Sequence, residues 1–396
     1  MTNSEYVDLA NKYLCHNYGR LPIALQRGEG IKVWDCDGKL YYDFVSGIAV
    51  NNLGHCHPRV AKALAEQAST LFHVSNLYHI PNQIDLARYL VEHSFADKAF
   101  FCNSGAEANE AAIKLARKYS LETFGPNRYE IITMLGSFHG RTMATLTATG
   151  QEKVKIGYAP LLEGFKHCPF NDLRALEKSV TEKTCAIMME PILGEGGVMM
   201  PSAGFLQDVK KMCESRNLLL IFDEVQTGIG RTGKLFAYEH YHVTPDIMTL
   251  AKSLAAGFPI GAMLATDQVA SVFGPGSHAS TFGGNPLATR AALTTLKVIE
   301  EEHLLANCSE MGHYLMKGLN QLKDKYPFIK DVRGTGLLIG MELDREGAPF
   351  VAACQEKGFL INCIQGKVLR FLPALIVSHK EIDLLFQTLD EVFSNQ

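Results

Sequence analysis

Leu218-Leu219-Leu220-Ile221-Phe222-Asp223-Glu224-Val225-Gln226 is five apolar residues running into two carboxylates. A run of that length reads as a strand buried on both faces. A buried strand does not tolerate an unpaired acid, so Asp223 needs a cationic or hydrogen-bonded partner, either a structural ion pair or a ligand. Downstream, Asp246-Ile247-Met248-Thr249-Leu250-Ala251-Lys252 repeats the pattern with a lysine at its end. Taken alone, Lys252 is a solvated strand-end residue. Beside a buried site its pKa would fall and it would serve as a nucleophile. In a parallel sheet the ends of successive strands face one crevice, and ligands bind there. Asp223 and Lys252 are therefore expected to share a site.

Further short apolar runs support such a sheet: Ala99–Phe101, Glu130–Met134, Thr184–Met189 and Gly261–Ala265. Amphipathic helices lie between several of them. In Glu107–Tyr119, Ala108, Ala111, Ala112, Leu115, Ala116 and Tyr119 keep helical spacing, with Glu107, Glu110, Lys114, Arg117 and Lys118 outside. The expected fold class is α/β, a mostly parallel sheet covered on both faces. The chain ends differ. Ile31–Phe44 reads as a hairpin turning at Asp37-Gly38, and Val332–Met341 and Val368–Phe371 as strands. Ser378-His379-Lys380-Glu381 is a capping box opening a last helix, whose apolar face is Ile382, Leu385, Phe386, Leu389, Val392 and Phe393. We expect a large cofactor domain over 51–300, with 1–50 and 301–396 forming a smaller α+β domain.

Composition bounds the function. The 396 residues carry 38 Lys and Arg against 42 Asp and Glu, a net charge of −4. No broad basic footprint for nucleic acid or anionic lipid results. The longest charge-free apolar stretch, Leu254–Ala265, is too short to span a bilayer. The start lacks the basic end and apolar run of a signal peptide. Ten cysteines at irregular spacings, none in a Cys-x-x-Cys pair, suit a reducing compartment. The expectation is a cytoplasmic enzyme with no membrane or nucleic-acid partner.

Several loops offer chemistry beside a purely structural role. In Asn103-Ser104-Gly105-Ala106-Glu107, Ser104 and Glu107 fit a capping box, while the N–H groups of Gly105 and Ala106 could hold a phosphate at a helix start. Phe138-His139-Gly140-Arg141 supplies an aromatic face and a guanidinium for a carboxylate. In Ser280-Thr281-Phe282-Gly283-Gly284-Asn285-Pro286, Asn285 and Pro286 suit a helix entry and Thr281 a second phosphate contact. Gly228-Ile229-Gly230-Arg231-Thr232-Gly233 matches the dinucleotide fingerprint in letters. It does not follow a strand directly, so a nicotinamide-dependent oxidoreductase is the disfavoured alternative. His55-Cys56-His57 reads as a helix entry before Pro58, and no metal site is expected.

These elements, in this order, resemble the class III pyridoxal-phosphate aminotransferases of fold type I. The likeness covers nearly the whole chain, and its most specific blocks are Phe222–Gly233, Leu250–Leu264 and Ser280–Ala288. It implies that pyridoxal 5'-phosphate is attached to Lys252 and that Asp223 pairs with its ring nitrogen. Phe138 and Val225 would pack on the two ring faces, and Gln226 would meet the ring's phenolic oxygen. Gly105 and Ala106 would bind the phosphate, with Thr281 contributing from the second subunit of a homodimer with shared sites. Arg141 would hold a substrate carboxylate, Ser280 would lie near the substrate, and Arg370 would take a second carboxylate with Glu195 as its partner. Ala106 departs from the threonine of many members, which removes a hydroxyl contact and keeps the N–H. Tyr18-Gly19-Arg20, Gly47–His55, Ser75–Tyr78 and Gly194–Gly197 resemble the subgroup acting on N2-acetyl-L-ornithine. The implied reaction moves its terminal amine to 2-oxoglutarate, giving N-acetyl-L-glutamate 5-semialdehyde and L-glutamate in arginine biosynthesis. Ornithine, succinylornithine and 4-aminobutyrate are the alternative donors. Ile48 stands where ornithine-specific members tend to carry tyrosine, while Tyr18 suits ornithine as well.

Overall fold

A computed structural model describes residues 1–395. Near the start, β1 (Leu25–Glu29), β2 (Lys32–Asp35) and β3 (Leu40–Asp43) form an antiparallel meander. The β2–β3 hairpin turns where Asp37-Gly38 predicts, and Gly38 takes φ +86°. The central sheet has seven strands: β4 (Lys98–Cys102), β5 (Glu130–Met134), β6 (Phe165–Cys168), β7 (Thr184–Met189), β8 (Leu219–Asp223), β9 (Ile247–Leu250) and β10 (Gly261–Ala265). Their order is β4-β10-β9-β8-β7-β5-β6. The pairs from β9 across to β6 are parallel, and β10 runs antiparallel to both its neighbours. Every residue of β7, β8, β9 and β10 is buried. Two-sided burial explains why those strands read as continuous apolar runs.

Distinct apolar clusters cover the two faces of this sheet. One joins Ala111, Ala112, Leu115 and Ala116 of the Gly105–Phe124 helix to Ile131, Ile221 and Met263. Another joins Phe205, Leu206 and Val209 of the Phe205–Arg216 helix to Ile132, Ile187, Leu220 and Phe222. Alternate residues of one strand thus serve opposite layers.

The third sheet is antiparallel and comes from the chain's end. The stretch Val332–Met341 is not one strand. It folds back as β11 (Ile329–Thr335) and β12 (Leu338–Leu343), reversing at Gly336 with φ +55°. Next, β13 (Phe359–Leu360) leaves this sheet and pairs in parallel with β3, tying the end of the chain to its start. The sheet is completed by β14 (Asn362–Ile364) and β15 (Val368–Phe371), in the order β11-β12-β15-β14. The closing helix, His379–Ser394, has the Ser378/Glu381 capping box and buries Ile382, Leu385, Leu389, Val392 and Phe393. No helix among the described residues is long and apolar enough to cross a membrane.

Candidate active site

The carboxyl ends of the parallel strands open into a cavity of about 400 Å³. Its walls include Gly105, Ala106, Phe138, Arg141, Asp223, Val225, Gln226 and Lys252. Strand β8 ends on Asp223, and β9 ends two residues before Lys252. The parallel register pairs Asp223 with Thr249 and brings those two ends level.

Asp223 is buried and firmly held. Its Oδ2 accepts from Asn109 Nδ2 at 2.7 Å and lies 2.7 Å from His139 Nδ1, and its Oδ1 accepts from the Val225 N–H at 3.0 Å. Thr249 donates to Asn109 Oδ1 at 2.7 Å, which fixes the amide so that its NH2 faces Asp223. The neighbouring Glu224 serves the scaffold instead. Successive strand-end residues point to opposite sides, and Glu224 accepts from the N–H groups of Ala237 and Tyr238 at 2.6 and 2.8 Å. Burial pushes its pKa up to about 7 against those hydrogen bonds.

Lys252 lines the cavity, and burial lowers its pKa. Glu195, Glu190 and Asp223 oppose that shift, and the Arg370 charge adds to it. Beside the lysine lies a three-membered polar array. Arg370, wholly buried on β15, places Nη1 2.5 Å from Glu195 Oε1 and 3.1 Å from Gln226 Oε1. Gln226 Nε2 donates to Glu195 at 3.2 Å. Burial opposes ionisation of Glu195, yet Arg370 and Lys252 outweigh it and hold the carboxyl below its usual range. Arg370 Nη2 is buried without a protein partner. Such a donor is costly to leave unpaired.

At the other end of the cavity the Gly105–Phe124 helix begins. Ser104 caps it by accepting from the Glu107 N–H at 3.2 Å, and Glu107 reaches back to the Asn103 N–H at 2.6 Å. Capping and anion binding coexist, because the first N–H groups of a helix have no intrahelical partner. The backbone there is close to the opposite wall: a Cβ on Gly105 would stand 2.7 Å from Val225 Cγ1. Phe138 and Arg141 stack, with the guanidinium carbon 5.5 Å from the ring centre. Ser280 Oγ accepts from Asn103 Nδ2 at 3.3 Å, which sets the Ser280 turn against the helix entry. Thr281 itself is exposed. Tyr18 stands apart in a groove with Tyr6, His16 and Arg20 and is 68% exposed. Gly228–Gly233 lies in turns, with Gly233 at φ +88° rather than inside a helix. Its Arg231 is wholly buried and donates to Leu337 O. It is a joint between sheets and not a phosphate loop.

Three participants escape the sequence reading. His139 reads as a loop histidine but is paired with Asp223. Asn109 is a buried amide on the apolar face of its helix, and that misplaced polarity is its signal. Glu190 follows β7 as Asp223 closes β8, so the same strand-end reasoning would have found it. It accepts from the N–H groups of Phe138 and Gly194, both at 3.0 Å, and burial pushes its pKa up to about 7.

Pyridoxal phosphate suits this cavity on chemical grounds. It needs a reactive amine, an anion for a ring nitrogen, a phosphate cradle and apolar faces. The cavity brings together Lys252, Asp223, a helix start with glycine at the close approach, and Phe138 and Val225.

A fold of this kind with an amine facing a held carboxylate defines a class, and comparison with known proteins gives the same one. The family model of class-III aminotransferases matches residues 13–393, and the chain belongs to that family. Its members use pyridoxal phosphate, and this chain is a transaminase. An acetylornithine aminotransferase of Methanocaldococcus jannaschii is 53% identical over 394 residues, covering 100% of this chain and 99% of its own. Among solved structures, the ornithine aminotransferase from Toxoplasma gondii superposes with a TM-score of 0.96 at 35% identity, covering 100% of this chain and 96% of that one. An acetylornithine aminotransferase from Elizabethkingia anophelis gives 0.90 at 35% identity and full coverage of both.

Proposed function

We propose that this enzyme transfers the terminal amino group of N2-acetyl-L-ornithine to 2-oxoglutarate, in arginine biosynthesis. The observation that carries the reading is a cavity lined by Lys252 and Asp223, with Arg370 bonded to the lining residue Gln226, in a chain about half identical to enzymes named for that substrate. Bound pyridoxal phosphate supplies a ring that takes up electrons from the carbon losing its proton. Lys252 is the attachment point. Its lowered pKa keeps a share of the amine neutral, fit to attack and then to carry a proton between carbons. Asp223, held in place by Asn109, His139 and the Val225 N–H, would face the ring nitrogen and favour its protonated form. Gly105 and Ala106 hold the phosphate, Phe138 and Val225 flank the ring, and Gln226 meets its phenolic oxygen.

Arg141 offers a two-pronged grip for the donor's α-carboxylate, leaving the far amine to reach Lys252. With the donor's α-amine acylated, no second positive charge needs an anion there. Glu195 covers Arg370 while the donor is bound. Swinging aside, it would free the guanidinium for the second carboxylate of the five-carbon acceptor. Ser280 lies beside the substrate, and Tyr18 borders the donor once a second subunit closes the site. We further propose a homodimer in which Thr281 completes the partner's phosphate site, and a division into the large and small domains expected above.

The test is a coupled assay of acetylornithine, ornithine, succinylornithine and 4-aminobutyrate with 2-oxoglutarate under one set of conditions. Acetylornithine should give the highest kcat/KM, ahead of ornithine by about tenfold or more, as for other small pocket differences. A win for ornithine or 4-aminobutyrate would move the enzyme to another substrate within the same family.

A further inference from the structure

Arg231 is a cation that the proposed reaction does not use. It is wholly buried, and no carboxylate bonds to it among the described residues. Burial lowers its pKa to about 10, which leaves it charged at neutral pH. Its Nε and Nη2 have no protein partner. A lone guanidinium in the interior is expensive to hold. The contacts it makes in return are few and specific.

Its side chain bonds only to the strand pair that carries Arg370. Nη1 donates to Leu337 O at 3.2 Å and to Pro373 O at 2.5 Å. In the antiparallel β12–β15 ladder, Gly340 faces Arg370 and Ile339 faces Phe371. Leu337 and Pro373 come next in that register, at the facing ends of the two strands. One nitrogen thus spans both ends. The backbone adds a further bond, because the Leu337 N–H donates to Arg231 O at 3.1 Å. No slack remains at this contact, since a Cβ on Gly336 would collide with the Thr232 backbone.

Arg231 belongs to the loop that leaves β8. At the front of that loop Asp223, Val225 and Gln226 line the cavity. Gln226 Oε1 accepts from Arg370 Nη1 at 3.1 Å. The loop therefore holds β15 twice, at Arg370 itself and again at Pro373, three residues on. Two points of attachment fix the direction of the strand against the loop, where one would leave it free to tilt.

We propose that Arg231 is a positioning residue for Arg370. By clamping the ends of β12 and β15 to the loop after Asp223, it sets the distance between the Arg370 guanidinium and Lys252. That distance decides how well a dicarboxylic acceptor is gripped while its keto carbon lies at the reacting amine. A misplacement of about 1 Å at such a contact is costly to rate. The inference rests on the reading of Arg370 as the site for the acceptor's second carboxylate.

Three variants probe the clamp. Arg231→Met removes the donor and the buried charge while keeping an apolar stem. Arg231→Lys keeps the charge and a donor directed at the same two carbonyls. Gly336→Ala leaves Arg231 intact and pushes the β11–β12 turn away from it. Arg370→Lys is the reference. For each holoenzyme three quantities are measured: the KM for 2-oxoglutarate, inhibition by glutarate, and the rate at which the preferred donor alone changes the cofactor's absorbance. Glutarate has both carboxylates and no keto group, so it reports the grip without the chemistry. Arg231→Met and Gly336→Ala should each raise the KM for 2-oxoglutarate and the glutarate inhibition constant by about tenfold, with the donor rate within about twofold of the parent's. Arg231→Lys should recover most of the loss. If Arg370→Lys leaves the KM for 2-oxoglutarate unchanged, the reading of Arg370 falls and the inference falls with it. If Arg370→Lys raises that KM while neither Arg231→Met nor Gly336→Ala does, the inference alone is overturned. A donor rate that falls as far as the acceptor's grip also overturns it, because that marks a general loss of structure. Should Arg231→Met fail to fold, Gly336→Ala decides by the same measurements.

Discussion

At the scale of single residues, the site is a set of charges whose costs are visible in their surroundings. Burial lowers the pKa of Lys252 below 10.5, so between its folded value and 10.5 the unfolded chain binds more protons than the folded one. Stability conferred by the rest of the fold is therefore reduced below the folded pKa and recovers as pH rises toward 10.5. Lys252→Met removes that penalty. The cofactor-free variant should melt higher than the cofactor-free parent at pH 7, and the difference should shrink on approach to pH 10. Equal melting curves across that range would show that the amine carries no such cost. Activity goes the other way, since no other amine lines the cavity among the described residues. Asp223→Ala separates charge from anchoring. The helix start proposed to hold the phosphate is untouched, so turnover should fall by about 100-fold or more while cofactor affinity falls far less. Turnover near the parent's would remove Asp223 from the mechanism.

At the scale of elements, the inner strands of the seven-stranded sheet were legible because burial on both faces writes them as unbroken apolar runs. Glu130–Met134, Thr184–Met189 and Gly261–Ala265 match the observed limits. Strand β6 was not, since Phe165-Lys166-His167-Cys168 is a short edge with half-buried polar residues and no apolar run. Val332–Met341 hid its reversal because its glycines were read as strand interior, while Gly336 supplies the turn. Asp223 and Lys252 were legible as polar residues ending apolar strands. His139 was not, because its role comes from a contact across the fold, and Asn109 showed only as a polar residue on an apolar helix face. The entry of the Gly105–Phe124 helix carries its own prediction. A methyl group at Gly105 would meet Val225 Cγ1 at 2.7 Å, so either the helix start or the ring-flanking side chain must shift. Gly105→Ala should weaken cofactor binding by about tenfold, measured by dialysis and absorbance, with the melting temperature of the cofactor-free protein little changed.

At the scale of the whole molecule, large apolar side chains meet solvent near the Ser280 turn. Leu77, Tyr78, Phe72 and Phe282 are 84%, 68%, 61% and 60% exposed. They belong to one neighbourhood, since Asn76 donates to the carbonyls of Ser280 and Gly283 at 3.1 and 3.0 Å. Apolar surface gathered in this way marks an interface, and a two-fold dimer is the commonest way to cover it. The exposed Thr281 sits within this patch, one residue from Ser280 and its contact with the helix entry. If the second subunit's Thr281 completes each phosphate site, every active site draws on two chains. Lys252→Ala and Thr281→Ala homodimers should then each be impaired. After the two are mixed, dissociated and reassociated, half the dimers are hybrids. One site of each hybrid joins an intact Lys252 to an intact Thr281, and the other carries both lesions. Activity should recover to about a quarter of the parent's per subunit. With sites confined to single subunits, mixing would give only the average of the two variants. An active monomer in sedimentation would remove the shared site altogether.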